Sequence, residues 1–426
     1  EHIMRLLIKR ALVVDPQSSH HKKRLDLFVR NGNITRIGRN LKEQADHVIE
    51  SGNLHVSTGW VDIGTQVGEP GFEQREELAT VAAAAVSGGY TTLACFPNTD
   101  PPLHSKSEIE YIRNRSQQLP VDIHPIGAIS RECAGDEIAE MQDMSVAGAI
   151  AFSDGRYPIQ NSGLMLRSLQ YVRTFDGLII NRPQDALLAP EGQLHESKVS
   201  AMLGLRGIPG MVERIMLERD LRLLEYSGSR LLTHAISAAE CLSLIRGARR
   251  NGLRVHASTP AVNLLLADES LMDFNTNLKV LPPLRSRADQ RALIRGIKDG
   301  TISCICSNHE PVEEEHKKVE FAHAAFGASA LETAFAMACT ALKGKMKIEE
   351  LVHCFTSGPC EILGLDRTAI QQDIPADLTL FDPDIEWSPS APGLKTRSKN
   401  DAALGQVLRG KAVGVVTKGR FHRNAN

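Results

Sequence analysis

The chain has 426 residues, 42% of them hydrophobic and 23% charged, enough for a large buried core. A formal net charge of −2 and an aromatic content of only 4% exclude the basic, base-stacking surface of a nucleic-acid binder. No apolar run approaches the ~18–20 residues that span a bilayer, so no membrane partner is expected either, and the chain reads as cytoplasmic.

Residues 1–57 read as all-β: "RLLIKRALVV", "DLFVR", "ITRIG" and "HVIE" are short strand-like runs split by turn signals such as "DPQSS" and "NGN". From Gly59 the pattern changes to strands alternating with helical stretches, the signature of βα units and a parallel sheet. Strands are predicted at 59–63, 90–96, 121–126, 147–152, 177–181, 230–234, 253–257 and 302–307. Helical patterns separate them, among them "REELATVAAAAVSGG" and "AAECLSLIRGARRNG", which close on glycines. Eight such repeats predict a (β/α)8 barrel over residues 58–365, with its chemistry at the C-terminal ends of the strands. The tail, with "ADLTLFDPD" and "GKAVGVVTKGRFH", returns to strand composition, so residues 1–57 and 366–426 are expected to form one small β domain.

Because barrel chemistry sits at strand ends, those positions carry the functional reading. A hydrolytic zinc site needs three or four converging nitrogen or carboxylate ligands and an open position for water. The strand ends here offer His234, His309 and Asp154 against a background of Gly64, Gln66, Asn98, Asn181 and Arg182. Each of the three has a structural alternative: a hydrogen-bonded histidine at the barrel mouth for His234 and His309, and a turn cap before Gly155 for Asp154. Cys304 and Cys306 share one face of a strand and, lacking a second pair, read as core, as do the other six scattered cysteines. "EEEHKK" at 313–318 reads as a solvated loop or helix start. No G-x-S-x-G elbow, G-x-G-x-x-G after a strand or G-x-x-x-x-G-K-[ST] is present, which argues against a serine hydrolase and against nucleotide cofactors.

Several segments, in order over nearly the whole chain, carry a likeness. "STGWVDIGTQVGEPGFEQREELATVAAAAVSGGYTTLACFPNTDPP", "GAIAFSDGRYPIQNSGLM", "LHESKVSAMLGLRGIP", "LKVLPPLR", "SNHEPVEEE", "AAFGASALET" and "ADLTLFDPDIEW" resemble the class I dihydroorotases of the amidohydrolase superfamily. The resemblance implies the same barrel and terminal β domain. It also implies a catalytic set, most of which is absent. Gly64 and Gln66 stand where the family has a His-x-His zinc-binding pair, and Gly68 stands where it has a carboxylate-binding arginine. Asn181 (or Arg182) replaces a histidine ligand, Asn308 the aspartate that is both ligand and general base, Val312 a substrate-binding histidine and Leu281 an asparagine. His234 survives as a ligand remnant and Asp154 as a candidate bridging acid, while Asn98, Phe326 and Gly327 match substrate-binding positions.

Zinc lowers the pKa of its bound water to about 7, and an amide at Asn308 cannot take a proton. Losing the arginine and histidine at positions 68 and 312 removes charge-assisted bonds of ~1.5–3 kcal/mol each. The expectation is therefore no bound metal and no catalytic residue in working order. With that set dismantled, the resemblance implies a chain similar to the family's non-catalytic members, which associate with aspartate transcarbamoylase, here as a homodimeric assembly subunit in pyrimidine biosynthesis. The alternative is an active zinc-dependent dihydroorotase or another cyclic-amide amidohydrolase. A weaker third reading is a small-molecule sensor using the old pocket.

Overall fold

The computed structural model describes residues 4–424. Strands from both chain ends build one nine-stranded sheet. The first half supplies β1 (Arg5–Val13), β2 (Arg24–Arg30), β3 (Asn33–Gly38), β4 (His47–Ile49) and β5 (His55–Thr58). In β1 and β2 the inward residues Leu6, Ile8, Leu27 and Val29 are fully buried, and they pack with Val56, Leu378, Leu380 and Val416 into a core separate from the barrel's.

The barrel staves are β6 (Trp60–Thr65), β7 (Tyr90–Cys95), β8 (Asp122–Pro125) and β9 (Leu178–Asn181), then, beyond a small pair β10 (Leu194–His195) and β11 (Gly207–Ile208), β12 (Arg230–Thr233), β13 (Arg254–Pro260) and β14 (Cys304–Cys306). All staves pair in parallel. The chain returns to the terminal sheet through β15 (Ile374–Pro375), β16 (Leu378–Trp387), β17 (Leu408–Thr417) and β18 (Arg420–Arg423), in the order β15-β3-β2-β1-β5-β16-β17-β18 with β4 on β1. The expected (β/α)8 barrel with a β domain from both termini is the observed architecture.

Two details differ from the sequence reading. The strand expected at 147–152 shrinks to one bridging residue, Phe152, which pairs with Gly127 on one side and Ile179 on the other. Small residues at Ala147, Gly148 and Ala149 end a helix there, at Met141–Ala147, and leave no length for a stave. The tail is also not confined to the terminal sheet. Its segment around 394–403 lies over the barrel, where Thr396 Oγ1 and Arg397 N donate to Glu76, and Asn400 Nδ2 donates to Gly327 O at 3.2 Å.

The barrel's own core has two layers. Val61, Ile63, Ala94, Ile180, Leu232 and Cys304 fill the interior. Outside it, an aromatic seam joins barrel to β domain: the Trp60 ring lies 4.3 Å from Phe335, 5.4 Å from Phe381, 5.6 Å from Phe355 and 6.2 Å from Tyr90, centroid to centroid. Closure between the first and last staves is made by a side chain. Ser307 N and Oγ donate to the two oxygens of buried Asp62 at 2.7 and 2.6 Å. All eight cysteines are free and buried, and burial pushes the Cys304 and Cys306 thiols upward, as inert core groups. No helix is long and apolar enough to cross a membrane among the described residues.

Candidate functional site: the barrel mouth

The C-terminal end of β6 sets the geometry of the mouth. Gly64 has φ +92°, and a Cβ built there would lie 2.7 Å from both His234 Nε2 and Phe96 Cε2. The space next to this backbone is therefore taken by the His234 imidazole and the Phe96 ring, which meet edge to face with centroids 5.3 Å apart. A histidine side chain cannot enter position 64 without displacing both.

His234 follows β12 and is 1% exposed. Its Nδ1 bonds to Ser258 Oγ at 3.0 Å, and its Nε2 has no partner. Burial and the nearby Arg182 guanidinium push its pKa down to about 3, so the ring is neutral over the physiological range. Arg182 itself is buried. Its Nη1 donates to Leu281 O at 3.2 Å and its Nη2 to Arg156 O at 2.6 Å, while Nε is unpartnered.

The remaining positions singled out by sequence are each turned to an internal bond. Asn181 Nδ2 donates to buried Asp220 at 2.7 Å, and its Oδ1 accepts from Ile159 N at 3.2 Å. Gln66 Nε2 donates to Asn98 Oδ1 at 2.9 Å; that oxygen also accepts from Arg156 N, and Asn98 Nδ2 donates to Asp154 O at 3.0 Å. Asn308, with φ +55°, donates through Nδ2 to Leu281 O at 3.0 Å. A Cβ on Gly68 would stand 2.4 Å from Glu76 O, so its loop has closed over the space a longer residue would need. Val312 is buried against Gly327, whose N–H donates to Lys279 O at 3.0 Å, and Phe326 carries the Lys279 ammonium over its ring at 5.0 Å.

Two candidate ligands are taken up by internal hydrogen bonds, which for Asp154 are made to Ile129 and Ser130 rather than in the turn before Gly155. Asp154, read as a possible bridging acid, points its carboxylate away from the mouth: Oδ1 accepts from Ile129 N at 2.8 Å and Ser130 N at 2.9 Å, and Oδ2 accepts from Ser130 Oγ. Burial nevertheless raises it to about 6. His309 is fully buried, with Nδ1 accepting from Ala330 N at 3.1 Å and Nε2 donating to Glu76 at 3.3 Å.

These donors do not fit zinc. Among the described residues no three His, Cys, Asp or Glu side chains are grouped to hold a metal ion. His234 Nε2 is an imidazole nitrogen left without a partner among the described residues, and it lies within the electrostatic reach of Arg182, whose charge opposes a dication there.

Sequence reasoning missed the cationic content of this region. Lys317, placed in a run read as solvated, is 4% exposed and donates to Ala325 O at 2.9 Å. Lys279, 2% exposed, donates to Phe321 O at 2.8 Å. Arg156 pairs with Glu310 at 3.0 Å. No local signal marks this burial, since Glu314, three residues earlier on the same helical turn, is exposed.

A family profile described as Dihydro-orotase-like matches residues 53–241. The dihydroorotase of Pelotomaculum thermopropionicum is 38% identical over 419 residues, covering 98% of each chain. That of Syntrophus aciditrophicus is 37% identical over 422 residues, covering 98% of this chain and 99% of its own. The chain belongs to the dihydroorotase family. Among solved structures, this dihydroorotase-family chain superposes on the L-hydantoinase (dihydropyrimidinase) of Arthrobacter aurescens with a TM-score of 0.86 at 22% identity, over 99% of this chain and 96% of that one. A D-hydantoinase gives 0.82 at 22% identity. At that identity the likeness is one of fold.

Proposed function

We propose that this member of the dihydroorotase family is a non-catalytic protein of pyrimidine biosynthesis that works through its surface. In this reading it is a homodimeric assembly subunit holding trimers of aspartate transcarbamoylase together. The observation that carries it is the packing at Gly64, where His234 and Phe96 fill the place of a first metal ligand. Asn308, in the general-base position, is an amide and cannot take a proton. An intact barrel around a filled mouth leaves the outer surface as the part free to act. On the helix Met211–Ser227, Met211, Ile215 and Tyr226 share a stripe and are 48%, 41% and 74% exposed, which supports a surface role without selecting the partner.

The second reading, a zinc-dependent enzyme hydrolysing dihydroorotate to N-carbamoyl aspartate, is supported by the names of relatives such as the dihydroorotases at 35% and 38% identity. It requires the mouth to open, His234 and Phe96 to move apart, and ligands to come from residues that are amides or glycines here.

Size-exclusion chromatography with light scattering on the chain mixed with aspartate transcarbamoylase separates the two. A lasting hetero-complex needs interfaces above roughly 1,000 Å², many of them two-fold symmetric. The assembly reading expects a dimer alone and a much larger species in the mixture. Independent elution at micromolar concentration, with transcarbamoylase activity indifferent to this chain, contradicts it.

A further inference from the structure

At the base of the barrel, the end opposite the mouth, lies a cavity of about 820 Å³ between the N-terminal ends of β12, β13 and β14 and the helices Cys241–Arg250 and Ile348–His353. That is the volume of a small-molecule pocket. The register of β12 on β13 sets Leu232 beside His256, and the two-residue period puts Arg230 on the same face. Arg249 reaches in from its helix, with Nε donating to Val255 O at 2.9 Å and Nη1 to Gly300 O at 2.6 Å. Its Nη2 makes no hydrogen bond among the described residues, and the nearby Asp299, which acts on Arg249 electrostatically, is paired with Arg246 at 2.7 Å.

Two more groups facing this space lack partners. Ser303 Oγ is buried without one. Neither ring nitrogen of His256 makes a hydrogen bond among the described residues, and burial, with a smaller contribution from Arg249 and Arg230, drives that ring down to about 4. The acids lining the same cavity are largely engaged elsewhere. Glu349 pairs with Lys22 at 2.9 Å and Glu350 accepts from Lys347 N at 2.9 Å, while Glu361 is exposed. Arg254 and Arg230 share Asp176 outside the cavity's lining, at 2.6 and 3.7 Å, and Lys298 is exposed at the edge.

We propose that this basal cavity binds a phosphorylated small organic molecule, with Arg249 Nη2, His256 and Ser303 Oγ holding the phosphoryl group and Leu253, Val255 and Ile302 contacting the organic part. Uncommitted donors on three different elements suit the several oxygens of a tetrahedral anion better than the planar pair of a carboxylate. The site is remote from the mouth, so its ligand needs neither hydrolysis nor a partner protein, and its test stands apart from the assembly reading.

Isothermal titration of the full chain in low-salt buffer with phenyl phosphate, and separately with inorganic phosphate, measures it. The expected result is saturable one-site binding of both, tighter for phenyl phosphate, and weaker by at least about tenfold in Arg249→Ala for loss of a charge-assisted donor. Ser303→Ala and His256→Gln, each checked for a wild-type melting curve, are expected to weaken binding severalfold and carry the comparison should Arg249→Ala not fold. No saturable binding at millimolar concentration, affinity unchanged in the folded variants, or inorganic phosphate binding as tightly as phenyl phosphate would each overturn the proposal.

Discussion

The two ends of β6 show how differently one strand treats fold and chemistry. At its start, Trp60 is fully buried in a five-ring aromatic seam that ties barrel to β domain. At its end, four residues later, Gly64 carries no side chain and its neighbours His234 and Phe96 close on the space. The barrel's stability comes from area buried at the base and in the outer layer, so the mouth can lose its ligands without loss of the fold.

The largest test of this contrast is at the base. Trp60→Ala removes the centre of the seam and is expected to cost about 3–5 kcal/mol of unfolding free energy, read by denaturant titration. A loss below ~1 kcal/mol would mean that the seam does not join the two halves.

The next largest effect is a pH dependence at the mouth. The folded pKa of His234, about 3, lies below the ordinary 6.5, so its contribution is fully present above pH 6.5 and is lost as pH falls toward 3. Between pH 7.5 and 4.5 the native chain is expected to lose ~2–3 kcal/mol more stability than His234→Gln. Asp154 runs the opposite way: its folded pKa of about 6 stands above the ordinary 3.8, so its contribution is present below 3.8 and lost as pH rises through 6. That background cancels in the comparison of the two proteins. Equal losses in both would show that His234 is not held neutral by burial.

A smaller effect is expected from restoring a ligand type. Gly64→His places a Cβ 2.7 Å from two rings at a positive φ, and is expected to destabilise the fold by roughly 1–3 kcal/mol without recruiting zinc. A variant as stable as the native chain that binds one zinc per molecule would show that the mouth is open rather than filled.

Much of the architecture was legible in the sequence because it follows from periodicity: the staves, the alanine-rich helix Leu78–Gly88 and the strands at both ends all register as hydrophobic patterns. The stave expected at 147–152 is too long because its apolar run has a strand's composition, whereas only Phe152 pairs with its neighbours. At the mouth, the missing ligands were legible as residue types at Gly64, Gln66 and Asn308, but what fills the space was not. The turn of Asp154 toward Ser130, the burial of Lys317 and the approach of Phe96 to His234 depend on contacts between distant segments, which no local pattern encodes. The same holds for the meeting of Arg249 and His256 at one cavity at the base.

The central claim is that the mouth no longer supports hydrolysis, and it is tested most directly by assaying the purified full chain for conversion of dihydroorotate to N-carbamoyl aspartate with zinc supplied. The account predicts no turnover above the protein-free rate, and none gained by Asn308→Asp, because catalytic groups that act as a unit are not restored singly. Clear turnover by the native chain that disappears in His234→Ala would contradict it.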